Sequence, residues 1–212
     1  MAMHHRPCLT GRVFCTLVRR KLNIMKKPPV VFLMGERLYL RPIETEDLER
    51  CRRWVNDPEV RQFILRQTPL DDVGEQTWHT SRDRKPFPSD ITLALVLKKK
   101  DRHIGTVGLH NIDWINRNAV TGAVIGEADC RDKGYGSEAK ALILRYAFDT
   151  LGMHRISSNV FSTNPRSLAY LKKSGYQEEG VRRQHRFQQG KWIDDIQLGI
   201  LASEWRALQD RK

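Results

Sequence analysis

The 212-residue sequence predicts an α+β domain in which a mixed, mostly antiparallel sheet carries helices on its faces. The order of elements is the first reason: strand, helices, three strands, helix, strand, helix, two strands. The second is length, which holds one domain of ordinary size plus an appendage. The third is a pair of glycines, Gly134 and Gly136, set between the end of a strand and the start of the strongest helix.

The chain begins with the appendage. Residues 1–35 carry Arg6, Arg12, Arg19, Arg20, Lys21, Lys26 and Lys27 with no Asp or Glu, which is seven of the net +12 charge and leaves about +5 for the remainder. Thr10, Gly11 and Arg12 interrupt its apolar residues, which argues against a secretory signal. A transit peptide or a surface-binding helix would share its acid-free composition. We read it as a poorly ordered basic extension, with Met25 as a second potential start and the folded domain over 36–212. No run reaches membrane-spanning length.

Next, "RLYLRP" alternates around Leu38 and Leu40 as a short strand. "IETEDLERCRRWVNDPEV" reads as a helix capped near Thr45, with Leu48, Cys51, Trp54 and Val55 inward and Pro58 as a break. Helical pieces follow at Glu59 to Leu65 and in "GEQTWHTSRDR", ahead of the turn region "KPFPSD". Three strands come in sequence, "ITLALVL", "HIGTVGLHNI" and "AVTGAVIGEA". The helix "SEAKALILRYAFDTLG" places Ala139, Leu142, Ile143, Tyr146, Ala147 and Leu151 on one face and stops at Gly152. A strand, "HRISSNVF", and a short helix, "NPRSLAYLKKSG", precede a hairpin of "YQEEGVRRQHRF" and "KWIDDIQLGIL" across "QQG". In the last strand Trp192, Asp194, Ile196, Leu198 and Ile200 share a face, and Asp194 there needs a partner such as an arginine of "VRRQHR" or a substrate amine.

Cys8, Cys15, Cys51 and Cys130 form no C-x-x-C pair and no zinc spacing, so no metal site is expected and a reduced, cytoplasmic protein is inferred. Cys130 adjoins the glycine loop and reads as a buried thiol rather than a reactive one.

The loop "RDKGYGSEA" has a chemical meaning of its own. Free N–H groups converge at a helix N-terminus, the helix dipole favours negative charge, and glycine lets an anion approach the main chain. Arg131 and Lys133 add positive side chains. A plain strand-to-helix turn with solvated charges is the competing reading of a bare G-x-G.

The context resembles the GNAT superfamily of N-acetyltransferases over about Arg37 to Trp205. Arg131, Gly134 and Gly136 match its pattern Q/R-x-x-G-x-G/A, and "NPRSLAYLKKSGYQEEG" is similar to its later N-x-x-S/A and G-F/Y-x-x-E-G segment. The branch resembled is that of ribosomal-protein N-terminal and spermidine-type acetyltransferases. This resemblance implies a six- to seven-stranded sheet with helices on both faces, splayed between the fourth and fifth strands. It implies acetyl-CoA as cosubstrate, its diphosphate held by Arg131, Lys133, Gly134, Tyr135, Gly136 and Ser137, its pantetheine arm against Val124, Ile125 and Gly126, and further contacts from Asn164, Arg166 and Ser167.

Direct transfer to an amine needs a base, an oxyanion donor and an acid for the leaving thiolate. Main-chain N–H groups near Ile125 and Gly126 suit the oxyanion. The family's acid is a tyrosine at the position of Leu171, whereas this chain has Tyr170 one residue earlier, a rotation of about 100° on a helix. Ser167 occupies the position from which the ribosomal-protein branch supplies a hydroxyl, so the resemblance favours Ser167 over Tyr170. The family's strand glutamate falls on Thr121, so the base candidates are Glu127 and His110.

The expected acceptor is a primary amine of a small molecule, with a protein N-terminus as the close alternative. A nucleic-acid module is disfavoured, because much of the excess charge lies outside the folded domain. A homodimer and a catalytically silent CoA-binding protein also remain compatible with the residues.

Overall fold

The computed structural model describes residues 30–81 and 85–210; the basic extension up to residue 29, with Cys8 and Cys15, lies outside them. Eight strands form one sheet in the order β1 (Leu33–Met34), β2 (Leu38–Pro42), β3 (Ile91–Leu97), β4 (Arg102–Asp113), β5 (Asn118–Ile125), β6 (Arg155–Phe161), β8 (Lys191–Leu201), β7 (Gln177–Gln188). Every adjacent pair is antiparallel except β5 and β6. The two-residue β1 takes the count one above the six to seven expected, and it lies within the range read as extension.

Between β2 and β3 come α1 (Leu48–Asn56), α2 (Pro58–Arg61) and α3 (Asp72–Thr80). A 3-10 turn at Thr45–Asp47 leads into α1, which buries Leu48, Cys51 and Trp54 and leaves Val55 partly exposed. Asp57 accepts from the Glu59 N–H and Pro58 opens α2, so the proline restarts a helix rather than ending the region. The later helices are α4 (Tyr135–Arg145), α5 (Pro165–Lys173) and α6 (Ala202–Gln209). α4 continues as a π-helical segment, Tyr146–Thr150, before Gly152 turns the chain with φ +66°.

Helices lie on both faces of the sheet. The main core packs Leu38, Leu40, Leu95, Ile104, Leu109, Ile143, Phe148, Ile156 and Leu198 under α4, α5 and α6. A smaller cluster of Tyr39, Ile43, Leu48, Ala94 and Val96 seats the start of α1 on the other face.

The β5–β6 pairing covers only Asn118–Arg155, Ala119–Ile156 and Val120–Ser157. Beyond Val120 the strands part, which is the splay between the fourth and fifth predicted strands. A consequence is visible at Ala123: it stands mid-strand in the centre of the sheet, yet it is exposed.

The last strand corrects one expectation. Asp194 accepts from the Gln184 N–H at 2.8 Å, and it is Asp195, fully buried, that faces Arg186 at 3.3 Å. Asp194 and Asp195 point to opposite faces of β8, and β8 pairs with β6 without a register shift as far as Asp195.

Candidate active site

Gly134 is the N-cap of α4 with φ +78°, a left-handed conformation that suits glycine, and no side chain caps the helix. The first-turn amides of Tyr135, Gly136 and Ser137 are therefore open. A Cβ at Gly136 would meet only Ile125 Cγ1, at 3.9 Å. Room has been left above this turn by the fold itself.

The loop is braced from Arg37, the residue before β2. The Arg37 guanidinium donates to the Lys133 carbonyl at 2.9 Å and to Glu138 Oε2 at 2.9 Å, while it lies 4.8 Å above the Tyr135 ring. Glu138 also accepts the Arg37 N–H at 2.8 Å. Burial favours the neutral form of Glu138, but these donors hold its carboxyl below the usual range. Arg37 escaped the sequence reading because a partner 101 positions away leaves no local signal.

Arg131 is used differently from the expectation. Its guanidinium donates to the carbonyls of Ile125 at 3.3 Å and Gly126 at 3.2 Å and to Glu59 at 2.8 Å. It ties the end of β5 to the loop and to α2. Lys133 remains an exposed cation beside the helix start, and Arg166 pairs with Asp132 at 3.2 Å across the mouth.

The strand edge divides by alternation. The Gly126 N–H donates to the Ile104 carbonyl at 2.9 Å, so it is not available for an oxyanion. The antiparallel ladder then turns the main-chain groups of Val124 toward β4 and those of Ala123 and Ile125 toward the gap. Of Val124, Ile125 and Gly126, it is Ile125 that offers its N–H to the opening.

On the helix side of the gap, Asn164 caps α5 by accepting the Ser167 N–H at 3.0 Å, with Pro165 at the first helical position. The Ser167 hydroxyl, partly buried, has no hydrogen-bond partner among the described residues. Leu171 is in the core, 1% exposed. Burial raises the Tyr170 hydroxyl well above its ordinary value. Thr121, at the family's glutamate position, is hydrogen-bonded to the Tyr176 hydroxyl at 2.7 Å.

The sequence reading also missed Lys140. It is 1% exposed, with Nζ 5.7 Å from the Tyr170 ring centroid and 5.6 Å from that of Tyr176. Burial, with no compensating carboxylate, pushes it down to about 7. An exposed lysine is the ordinary expectation on a helix, and nothing in the local pattern marks this one as inward.

Glu127 fares poorly as a base. Oε1 accepts from Arg53 at 2.7 Å and the Trp54 indole at 2.9 Å, and Oε2 accepts from Arg102 at 2.5 Å. Burial would raise its carboxyl, but the Arg102 and Trp54 hydrogen bonds and the two arginine charges hold it below the ordinary range. It anchors α1 to the end of β5. Beside it opens a cleft of about 720 Å³, lined by Glu46, Glu49, Arg50 and Trp54 of the α1 region and by Gly126 and Ala128. His110, the other candidate, has Nδ1 3.1 Å from Asp90 Oδ1. Cys130 is buried, and that burial raises its thiol, so it is an inert side chain.

The acetyltransferase (GNAT) domain model matches residues 37–177. The uncharacterized N-acetyltransferase p20 of Bacillus licheniformis is 32% identical over 180 residues, covering 82% of this chain and 97% of that one. Spermidine N(1)-acetyltransferase of Vibrio cholerae is 24% identical over 177 residues, covering 81% of this chain and 97% of that protein. The crystal structure of the Vibrio cholerae spermidine N-acetyltransferase with CoA and spermine superposes with a TM-score of 0.70 at 23% identity, covering 80% of this chain and 98% of that one, a likeness of fold.

Proposed function

Because the chain belongs to the GNAT family of N-acetyltransferases, we propose that it transfers the acetyl group of acetyl-CoA directly to the primary amine of a small molecule, such as a polyamine or amino sugar. The observation that carries this is the gap beside β5: Ala123 is exposed at the centre of the sheet, next to a helix start with an uncapped first turn. An extended arm fits the gap, and a diphosphate fits the turn.

Acetyl-CoA, when bound, supplies an acyl group activated as a thioester. The chain's residues do the rest. Amides of Tyr135, Gly136 and Ser137, with Lys133 beside them, hold the diphosphate oxygens. Arg131 fixes the strand end, and Asn164 and Ser167 hold the start of α5 against the gap, with Arg166 at its mouth. The N–H groups of Ala123 and Ile125 face the gap, and we take them as the donors to the acyl oxygen as charge develops there. Ser167 offers a hydroxyl to the departing sulfur. Much of the acceleration comes from holding amine and thioester in line.

We take a small amine over a protein N-terminus as the acceptor. The relative named as a spermidine acetyltransferase supports the same class. Comparing kcat/KM across polyamines, amino sugars and N-terminal peptides tests this. A small amine should exceed any peptide by tenfold or more, about 1.4 kcal/mol of discrimination; preference for a peptide would overturn the acceptor class.

A further inference from the structure

The face of the sheet opposite α4 and α5 carries a histidine–aspartate pair at the point where β5 and β6 part. His110 lies opposite Val120 in the β4–β5 register, and Val120 is the last β5 residue paired with β6. Cross-strand partners share a face, so His110, Val120, Gly122 and Val124 line the side away from the glycine loop's helix.

Asp90 Oδ1 is 3.1 Å from His110 Nδ1. A carboxylate only accepts, so Nδ1 carries the proton and Nε2 presents its lone pair. Asp90 is held in turn: the Ser89 hydroxyl donates to its Oδ2 at 2.8 Å, and the Ser89 carbonyl accepts the Ile112 N–H at 2.8 Å. Two glycines shape the space around the ring. A Cβ at Gly108 would stand 3.2 Å from Nε2, and one at Gly122 would stand 3.4 Å away, so the imidazole lies over these bare positions toward β5. The His110 side chain is 38% exposed, within reach of a solute.

Resting on the acetyl transfer proposed above, we propose that His110 is the base that deprotonates the acceptor amine, with Asp90 as its positioning residue. The thioester arrives from the helix side of the gap, so the amine approaches the acyl carbon from the other side, where His110 stands. An ammonium ion has no lone pair to attack with. His110 Nε2 takes one proton; the freed nitrogen bonds to the acyl carbon as the C–S bond breaks; the surplus proton on nitrogen passes to the sulfur, and the imidazolium releases its own to water. Glu127, bound by three donors, is replaced in this role.

The test uses His110→Ala, His110→Gln and Asp90→Asn in the full chain, with acetyl-CoA affinity measured beside steady-state transfer. Unchanged affinity shows that each variant is folded. Both His110 variants should lose about 10²–10³-fold in kcat, and added imidazole should restore the alanine variant but not the glutamine one. Asp90→Asn should cost about tenfold alone and nothing further in the His110→Ala background. Wild-type kcat in either His110 variant, or a loss in His110→Ala that imidazole does not relieve, would overturn the base while leaving acetyl transfer standing. A wild-type protein that transfers to no amine would overturn acetyl transfer itself, and the base with it.

Discussion

Arg37 Nε stands 2.9 Å from Glu138 Oε2, joining the residue before the first long strand of the sheet to the first turn of the helix behind the glycine loop. The same guanidinium holds the Lys133 carbonyl at 2.9 Å, so one side chain fixes both ends of the turn that receives the diphosphate. Arg37 is nearly half exposed, which limits what the ion pair contributes. Arg37→Ala should weaken acetyl-CoA binding roughly three- to tenfold by calorimetry. Adding Glu138→Gln should cost less than its own separate effect, because the two act through one contact.

The two loop glycines should fail in different ways. Gly134 has φ +78°, so Gly134→Ala strains the backbone by about 1–2 kcal/mol and should lower the denaturation midpoint. Gly136 needs no such angle, and its Cβ position is free of protein within van der Waals distance apart from Ile125. Gly136→Val should keep most of the stability and lose acetyl-CoA binding. Matched calorimetry and denaturant melts separate these outcomes, and wild-type affinity in folded Gly136→Val would remove the diphosphate assignment.

Much of this architecture is legible because its signals are local. Alternation in "RLYLRP" and the apolar run "ITLALVL" mark strands that the structure contains, and Gly152 stops its helix with the positive φ expected of it. The glycine loop carries its chemistry in the spacing of Gly134 and Gly136. What stayed hidden depends on distant partners. Asp90 lies in a turn region without a motif, and it gains meaning only when the β3–β4 ladder sets it against His110. Lys140 reads as solvated until α5 and Tyr176 close over it. The buried carboxylate of the last strand is Asp195 rather than Asp194, because β8 lies inside the sheet between β6 and β7 and its second face is covered as well.

Lys140 predicts a pH dependence of stability. Its folded value of about 7 lies below the ordinary 10.5, so between these limits the unfolded chain holds a proton that the folded chain has lost. Stability attributable to this residue therefore rises with pH from about 7 toward 10, and its penalty is complete below 7. Lys140→Met should be more stable than wild type at pH 6 by a few kcal/mol, on the order expected from such a shift, with the gap narrowing by pH 10. Urea denaturation of both proteins across that range checks it. A gap that does not change with pH would show that Lys140 stays charged where it lies.

The leaving group separates Ser167 from Tyr170. If Ser167 protonates the sulfur, Ser167→Ala should lower single-turnover transfer about 10²-fold while acetyl-CoA affinity changes little. Tyr170→Phe should then leave the rate near wild type, since its hydroxyl is a weakened acid in a buried setting. The reverse pattern would assign the role to Tyr170. Near-normal rates in both would mean that the thiolate departs without either hydroxyl.

The most direct measurement of the central claim is amine-dependent release of CoA thiol from acetyl-CoA, followed with a panel of small primary amines and mass analysis of the product. Release is expected only when an amine is present, with stoichiometric N-acetylated amine, and both should be lost in Gly136→Val. Tight acetyl-CoA binding with no transfer to any amine, or transfer that survives Gly136→Val unchanged, would contradict the claim.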